Sequence, residues 1–180
     1  GSGTTASFGN ALTVEGSHTT SAGAKSGAFA AQGSLIGANG AISNATSSAS
    51  VDSRIGSNAN ITAGQTVTIR AASVNKAEAV GDGLTVGLLV GIGAIDGEAT
   101  VNGEALAHID DNAHVNAGGL TIESLSTDTA RTETEASGGG LVSGNGSAAI
   151  TNVNGTTKAY IGADAQVEVD NNVAMRSQSA

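Results

Sequence analysis

Several residue types on which other folds depend are missing from this 180-residue chain. It has no cysteine, so no disulfide can staple it, and it has no proline or tryptophan and only three Phe and Tyr residues. Charged residues make up 13% of the chain, about half the usual share. The net charge is −9, which argues against nucleic acid as a partner, because phosphate binding needs clustered Lys and Arg. No secretory signal peptide and no helix-length periodic segment is recognisable.

The most informative feature that is present is an internal repeat of about 53 residues. A closing pair of apolar residues recurs at Leu12/Val14, Val67/Ile69, Leu120/Ile122 and Val173/Met175, in steps of 55, 53 and 53 residues. The similar blocks lie near residues 6–15, 55–70, 109–123 and 161–176. A fixed period in this range indicates a stacked array, in which each unit buries its apolar edge against its neighbours.

Within each block, apolar and polar residues alternate, which predicts short strands with one buried face. The positions predicted to face inward stay aliphatic from block to block, as in Ile55/Ile109/Ile161 and Ile61/Val115/Val167, whereas Arg54/His108/Tyr160 vary and are predicted to face outward. Corners fall on Gly, Asn and Asp, which tolerate positive φ. We therefore predict an all-β parallel β-helix (β-solenoid) with rungs about 4.8 Å apart. Each repeat is expected to hold two or three rungs of roughly 20 residues.

The segments between the blocks are glycine-rich and apolar, as at 83–95 and 138–150. The first is 13 residues long, shorter than the roughly 20 that a membrane helix needs. We predict a buried strand packed with Gly and Val there, and no membrane insertion. Asn-Gly follows at 102–103 and 154–155, and this pair suits either an antiparallel hairpin that leaves the stack or a solenoid corner.

The blocks resemble the repeats of a known group of proteins. An Ala-x-Ile-Gly approach occurs at Ala159-Tyr-Ile-Gly162, and Ala-x-Val-x-Ala-Gly-Gly with a closing strand occurs at Ala113-His-Val-Asn-Ala-Gly-Gly-Leu-Thr-Ile122. This pattern is similar to that of filamentous-haemagglutinin-like and leukotoxin-like giant bacterial adhesins, and it extends over nearly the whole chain after Gly3. The resemblance implies a Gram-negative surface or secreted protein, exported by two-partner or autotransporter (type V) secretion, whose β-helical shaft serves adhesion. The resemblance implies no catalytic residues. The chain departs from the repeat pattern in the fourth block, where Asp170-Asn-Asn172 replaces Ala-Gly-Gly.

The histidines are the first candidates for a metal site. They are His18, His108 and His114, and the last two flank Asp110-Asp111. Zinc needs three or four converging ligands, and neither flanking histidine recurs in the other repeats. Strand alternation predicts that His108 and His114 both face solvent, so we expect no zinc site.

Calcium is the more serious candidate for an acidic repeat protein, since the β-roll motif presents Gly-Gly-x-Gly-x-Asp in tandem. The segment from Gly138 to Asn145 has the glycines and lacks the aspartate. Asp110, Asp111 and Asp164 lie at related corners without forming a recurring cage. We predict no metal site and no cofactor.

Catalysis and ice binding are also disfavoured by the sequence. No Gly-x-Ser-x-Gly motif marks an activated serine. Glu133 and Glu135 are spaced to share one face of a strand, which we expect to be solvated. The pairs Thr66/Thr68, Thr127/Thr129 and Thr132/Thr134 occupy different repeat positions, so they do not build the regular threonine ladder of an ice-binding face.

These observations lead to one interpretation of the chain. Residues 1–3 are interpreted as a cloning remnant, and residues 4–180 as one repeat-built β-solenoid segment cut from a longer protein. The expected function is a structural shaft segment of an extracellular bacterial adhesin that mediates or supports cell-surface adhesion, with no enzymatic activity. Expected partners are cell-surface or matrix components, with head-to-tail self-association possible. The alternatives are a self-assembling subunit of an extracellular fibre or biofilm matrix, and a calcium-binding or ice-binding β-solenoid.

Overall fold

Every regular element in the computed structural model, which describes residues 2–180, is a β-strand. The strands are β1 (Thr5–Phe8), β2 (Leu12–Thr19), β3 (Ala24–Ser47), β4 (Ser50–Ile55), β5 (Asn60–Val101), β6 (Glu104–Ile109), β7 (His114–Gly139), β8 (Val142–Val153), β9 (Thr156–Ile161), β10 (Gln166–Val169) and β11 (Val173–Ser179). Eight of them form one sheet, and β4, β6 and β9 form a second. All the pairings among these strands are parallel. The all-β class predicted from the alternation is confirmed.

The strand partners lie one whole repeat apart in the sequence. Asn60 pairs with His114, and Gln166 pairs with His114 from the other side. Partners throughout both sheets are 52 to 55 residues apart. The expectation of two or three rungs of about 20 residues per repeat is therefore wrong, because no strand pairing within residues 2–180 joins residues that close. We call residues 5–55, 60–109 and 114–161 layers 1, 2 and 3, and residues 166–179 the start of layer 4.

Each layer consists of two arms that face each other through their side chains. Thr132 Oγ1 donates to the carbonyl oxygen of Ile150 at 2.6 Å, and Ser43 Oγ donates to that of Ser26 at 2.9 Å. These contacts join residues of one layer that are 17 and 18 positions apart, so the chain runs out along one arm and returns along the other. The inner faces of the two arms form the interior of the molecule.

The interior narrows from one end of the arms to the other. At the thick end, a cluster of Ile, Val, Leu and Ala fills the space, and it includes Ile69, Ile109 and Ile122, all fully buried. A second, smaller cluster farther along contains mainly alanines, such as Ala79 and Ala99. The inward columns Ile55/Ile109/Ile161 and Ile61/Val115/Val167 form as predicted, with each residue paired to its repeat counterpart.

Beyond the alanines, glycines occupy most of the interior, together with the buried side chains of Thr85 and Ile95. We call residues 27–41, 80–95 and 133–147 the thin end. Gly81, Gly83, Gly91 and Gly93 are buried there, and a Cβ on Gly81 would lie 2.7 Å from Ile95 Cγ2 on the opposite arm. The prediction that the apolar run 83–95 is a buried strand is thus only half right. Its glycines face inward, whereas Leu84, Val86, Leu88 and Ile92 face outward and are exposed.

The corners at the thick end depend on a left-handed backbone residue. Asn58, Asn112 and Asp164 have φ values of 56°, 56° and 55° and occupy the same place in successive layers. Asn and Asp tolerate this conformation better than other non-glycine residues do, because their short polar side chains bond locally. The prediction that corners fall on Asn and Asp is confirmed here.

The Asn-Gly pairs form corners of the stack, and the antiparallel hairpin alternative is wrong. The amide of Asn154 donates to Val101 and that of Thr156 donates to Gly103, so the ladder continues in parallel on both sides of the corner. Glycine is needed because the buried side chain of Asn75 projects toward this corner: a Cβ at Gly103 would collide with the Asn75 amide and would lie 2.7 Å from Asp128 Oδ1. The corner therefore accommodates a buried polar group.

The inward and outward assignment of β7 can be tested at two adjacent residues. Val115 is 2% exposed, whereas His114 is exposed. Val115→Asp should lower the free energy of unfolding by several kcal/mol because it buries an unpaired carboxylate. His114→Asp should change it by no more than about 0.5 kcal/mol. Urea unfolding of the two variants beside the parent chain measures both values, and equal losses would contradict the assignment.

Candidate functional site

The most concentrated group of chemically capable side chains lies on the outer face of the three-stranded sheet. Arg54 in β4, His108 in β6 and Tyr160 in β9 are paired in register, one above another. Asp52 and Asp110 flank this column. We call these five residues the His108 cluster.

His108 is buried by its neighbours in the column. Its exposed fraction is 3%, and its ring stacks on Tyr160 with the centroids 4.6 Å apart and 10° between the planes. The prediction that His108 faces solvent is wrong, although the alternation places it correctly on the outer face. A side chain on that face becomes buried when aligned large side chains in the adjacent layers cover it. His114, which has Asn60 and Gln166 as neighbours, is exposed as predicted.

Both imidazole nitrogens of His108 lie next to carboxylates. Nε2 is 2.9 Å from Asp52 Oδ1 and forms a hydrogen bond with it. Nδ1 is 2.9 Å from Asp110 Oδ1 but makes no hydrogen bond with it. Arg54 Nη1 is 2.8 Å from Asp52, and its Nε is 3.7 Å from Asp110. The guanidinium thus compensates the two acids across the column.

This geometry does not favour nucleophilic catalysis. A histidine that acts as general base uses one nitrogen to accept the proton of a nucleophile and the other to contact an orienting acid. In the cluster, a carboxylate occupies each side of the ring, so no nitrogen is free to activate a hydroxyl. The arrangement connects three layers by ion pairs and stacking.

The metal candidates considered from the sequence are separated in the structure. Asp110 contacts His108, whereas Asp111 Oδ1 accepts the Ala163 amide at 2.8 Å at the corner of the next layer. His18 lies in the inward column opposite Ser73, far along the chain from the others. Between residues 2 and 180, no group of three or more His, Cys, Asp or Glu side chains is placed to hold a metal ion.

Two other columns on the outer face alternate in charge from layer to layer. In the first, Arg70 binds Glu15 below at 2.8 Å and Glu123 above at 3.1 Å, and Arg176 reaches Glu123 at 3.5 Å. In the second, Glu78 lies between Lys25 at 2.9 Å and Arg131 at 3.3 Å. The hydrogen bond from Lys25, together with its charge, lowers the pKa of the Glu78 carboxyl.

The remaining sequence candidates lie apart from these columns or at their margin. Glu133 and Glu135 share the outer face of β7 and are exposed, as predicted, and Glu133 binds Arg131 at 2.6 Å. The repeat does not mark Asp52 as a candidate, because its counterparts in the other layers, Leu106 and Lys158, differ from it. Its spacing of two from Arg54, which puts both on one face, was the signal that could have identified it.

Comparison of the chain with protein-family models, with curated proteins and with solved structures gives no match. None of the structurally described residues forms a helix long and apolar enough to cross a membrane.

Removing the imidazole should destabilise the stack. His108→Ala removes the hydrogen-bond partner of Asp52, leaves Arg54 as the one side chain that contacts both acids, and opens space beneath Tyr160, so we expect a loss of about 1–3 kcal/mol in the free energy of unfolding. His114→Ala is the matched control, with an expected change within about 0.5 kcal/mol. Urea denaturation measures both, and a neutral His108→Ala would show that the cluster does not hold the layers together.

Tyr160 reports on the electrostatics of the cluster, because it is the only tyrosine and the chain has no tryptophan. Partial burial, and then the charges of Asp110, Asp52 and Asp111, raise the pKa of Tyr160 above its usual 10.0. Its contribution to stability is therefore present below about pH 10 and is lost as the pH rises through the folded-state value.

Ultraviolet titration of the tyrosinate ion should therefore give a midpoint above that of the chain unfolded in guanidinium. Asp110→Asn should lower this midpoint without restoring the unfolded value, since burial is the larger cause. Asp82→Asn, at the thin end, should leave it unchanged. A midpoint equal to that of the unfolded chain would be inconsistent with the packing of Tyr160 on His108.

Proposed function

We propose that the chain is a structural segment of an extracellular bacterial adhesin shaft, built as a parallel β-solenoid in which each repeat of about 53 residues forms one rung. The observation that carries this proposal is the register: in both sheets, every strand partner is one repeat away. A unit that stacks on its own copy in this way can be extended by adding repeats, and each addition brings one more interface.

The side-chain columns support the same proposal. Charges alternate along the stacking direction in the columns through Arg70 and Glu78. Amide side chains also align, as in the 3.2 Å bond from Asn154 to Asn102. These contacts join residues about one repeat apart, so they favour the same strand register as the backbone hydrogen bonds, in which each residue pairs with its counterpart in the next repeat. The side chains thus serve the stacking of layers, which is the property that a shaft requires.

The location and partners rest on the resemblance to filamentous-haemagglutinin-like repeats. On this proposal, the protein is exported by type V secretion to the bacterial surface, where the shaft supports contact with cell-surface or matrix components. A cysteine-free chain held by backbone ladders and apolar columns needs no disulfide formation after export. The role is mechanical, and the chain needs no cofactor or metal for it.

Insertion of extra repeats tests the proposal. Residues 60–165 comprise two complete layers with their corners, and a second copy placed after Ala165 keeps the alternation of Glu15, Arg70, Glu123 and Arg176. Variants with one, two and four inserted copies should grow along a single axis by about 10 Å per copy, two inter-strand spacings. Small-angle X-ray scattering measures the length and the cross-section, which should stay constant. The melting temperature should rise with each insertion.

The matched control carries the same inserted residues in reversed order, with the same composition and no register. It should gain neither ordered length nor stability. If the repeat insertions widened the cross-section or behaved like the reversed control, the segment would be a closed domain and the shaft proposal would be rejected.

A further inference from the structure

The thin end carries an exposed apolar ridge that the proposed function does not use. Each layer reverses direction there through a pair of large apolar residues: Leu35/Ile36, Leu88/Leu89 and Leu141/Val142. Leu88 in layer 2 is 71% exposed although layers cover it on both sides. The exposure of the ridge is therefore a consequence of its position at the end of the arms, and it does not depend on where the stack ends.

The ridge side chains point outward because the interior beside them has no room. Gly87 and Gly91 lie so close across the reversal that a Cβ on Gly91 would be 3.3 Å from the amide nitrogen of Gly87. A Cβ on Gly140 would lie 2.7 Å from the Gly87 carbonyl oxygen in the layer below. With the two backbones in near contact, leucine side chains cannot turn inward. Contiguous apolar surface of this kind marks an interaction site in a soluble protein.

Beside the ridge, the outer face of the returning arm has a shallow apolar furrow. Its floor is the column Gly40, Ala94 and Gly146, which are paired in register, one per layer. Exposed Ile92 and Ile42 stand in the columns on either side of this floor. The furrow is thus a depression without side chains longer than a methyl group, and it runs parallel to the ridge.

We propose that the ridge of one molecule packs into the furrow of a second copy of this chain, so that two stacks associate side by side. Ridge and furrow both repeat once per layer, at the inter-strand spacing of about 4.8 Å. A partner that engages every layer must have the same spacing, and a second copy has it. Because ridge and furrow adjoin on one molecule, a two-fold axis between two copies places each ridge in the other's furrow and closes the pair.

The charge distribution favours a second copy over a lipid surface. No Lys or Arg occurs between Lys25 and Arg54 or between Lys76 and Arg131, which are the stretches that form the thin end of layers 1 and 2. Anionic bilayers attract clustered Lys and Arg, and this end instead carries Asp82, Glu133 and Glu135, with Asp96 lining the furrow beside it. The acids of two copies repel each other, so association should strengthen as salt screens them.

This inference rests on the exposed thin end, and it stands or falls independently of the shaft proposal. Sedimentation velocity over a range of concentrations tests it at low and at high salt. The parent chain should dimerise, and more tightly at high salt. The ridge variant Leu35→Ser/Leu88→Ser/Leu141→Ser should dimerise at least about tenfold more weakly. The control variant Val173→Ser/Met175→Ser, with exposed apolar residues at the thick end, should dimerise like the parent.

Cysteine cross-linking tests the geometry, since the chain contains no cysteine of its own. Leu88→Cys mixed with Ala94→Cys should form an intermolecular disulfide faster than Leu88→Cys mixed with Lys76→Cys, where Lys76 is exposed on the other arm. Equal rates, a parent chain that stays monomeric, or a ridge variant that dimerises normally would each overturn the proposal. So would a parent chain that floats with phosphatidylcholine vesicles while it remains monomeric in solution.

Discussion

The in-register stacking of each residue on its repeat counterpart is the constraint on which the rest of this structure depends. A parallel ladder with a spacing of one repeat puts the same position of every repeat into one column. Each side chain therefore contacts its own counterparts in the layers above and below, so a favourable or unfavourable contact at one position is repeated along the stack. Ile55, Ile109 and Ile161 form a continuous apolar column, whereas like charges in one column would repel at the inter-strand distance. The repeat therefore selects its residues column by column, and this selection makes it visible in the sequence.

The size of the inward side chains determines the shape of each layer. Ile, Val and Leu separate the arms at the thick end, Ala brings them closer, and glycine lets the backbones nearly touch. A consequence follows for the outer surface. Where no interior remains, an apolar residue can only face solvent, so the thin end exposes leucines in every layer. The taper and the exposed ridge are two results of one gradient in side-chain volume.

The sequence predicts the columns well, because alternation and the repeat step depend only on local spacing. The strand faces of Ile61 and Val115 and the corner role of Asn112 follow from the residues themselves. The number of rungs per repeat does not, since it depends on how far the chain runs before it reverses. The glycines at positions 87 and 91 permit that reversal, but glycines elsewhere in the chain would permit a turn equally well, so the sequence does not locate it. The exposure of Leu88 cannot be predicted from the sequence for a related reason. Its hydropathy suggests burial, and only the small distance between the two arms shows that the interior has no space for its side chain.

The His108 cluster shows how a stack changes the properties of an outward position. Alternation assigns His108 to the outer face, and an isolated strand would leave it in water. The large side chains of Arg54 below it and Tyr160 above it exclude solvent, and the hydrogen bond to Asp52 then replaces part of the lost hydration, while Nδ1 lies beside Asp110 without a hydrogen bond. None of these partners recurs in another layer, so the repeat gives no indication of the cluster.

The charged columns through Arg70 and Glu78 also depend on stacking, and each ion pair in them is weak by itself. An exposed ion pair contributes between zero and about 1 kcal/mol, so these contacts add little to stability next to the apolar core. Their effect on specificity is larger. If layer 2 stacked on a copy of itself, Arg70 would face Arg70 and Glu78 would face Glu78, whereas the native order gives alternating signs in both columns. Nearly identical apolar repeats would otherwise tolerate a shift by one whole layer, and repulsion between like charges disfavours that error. The apolar columns thus stabilise the stack, and the charged columns select the order of its layers.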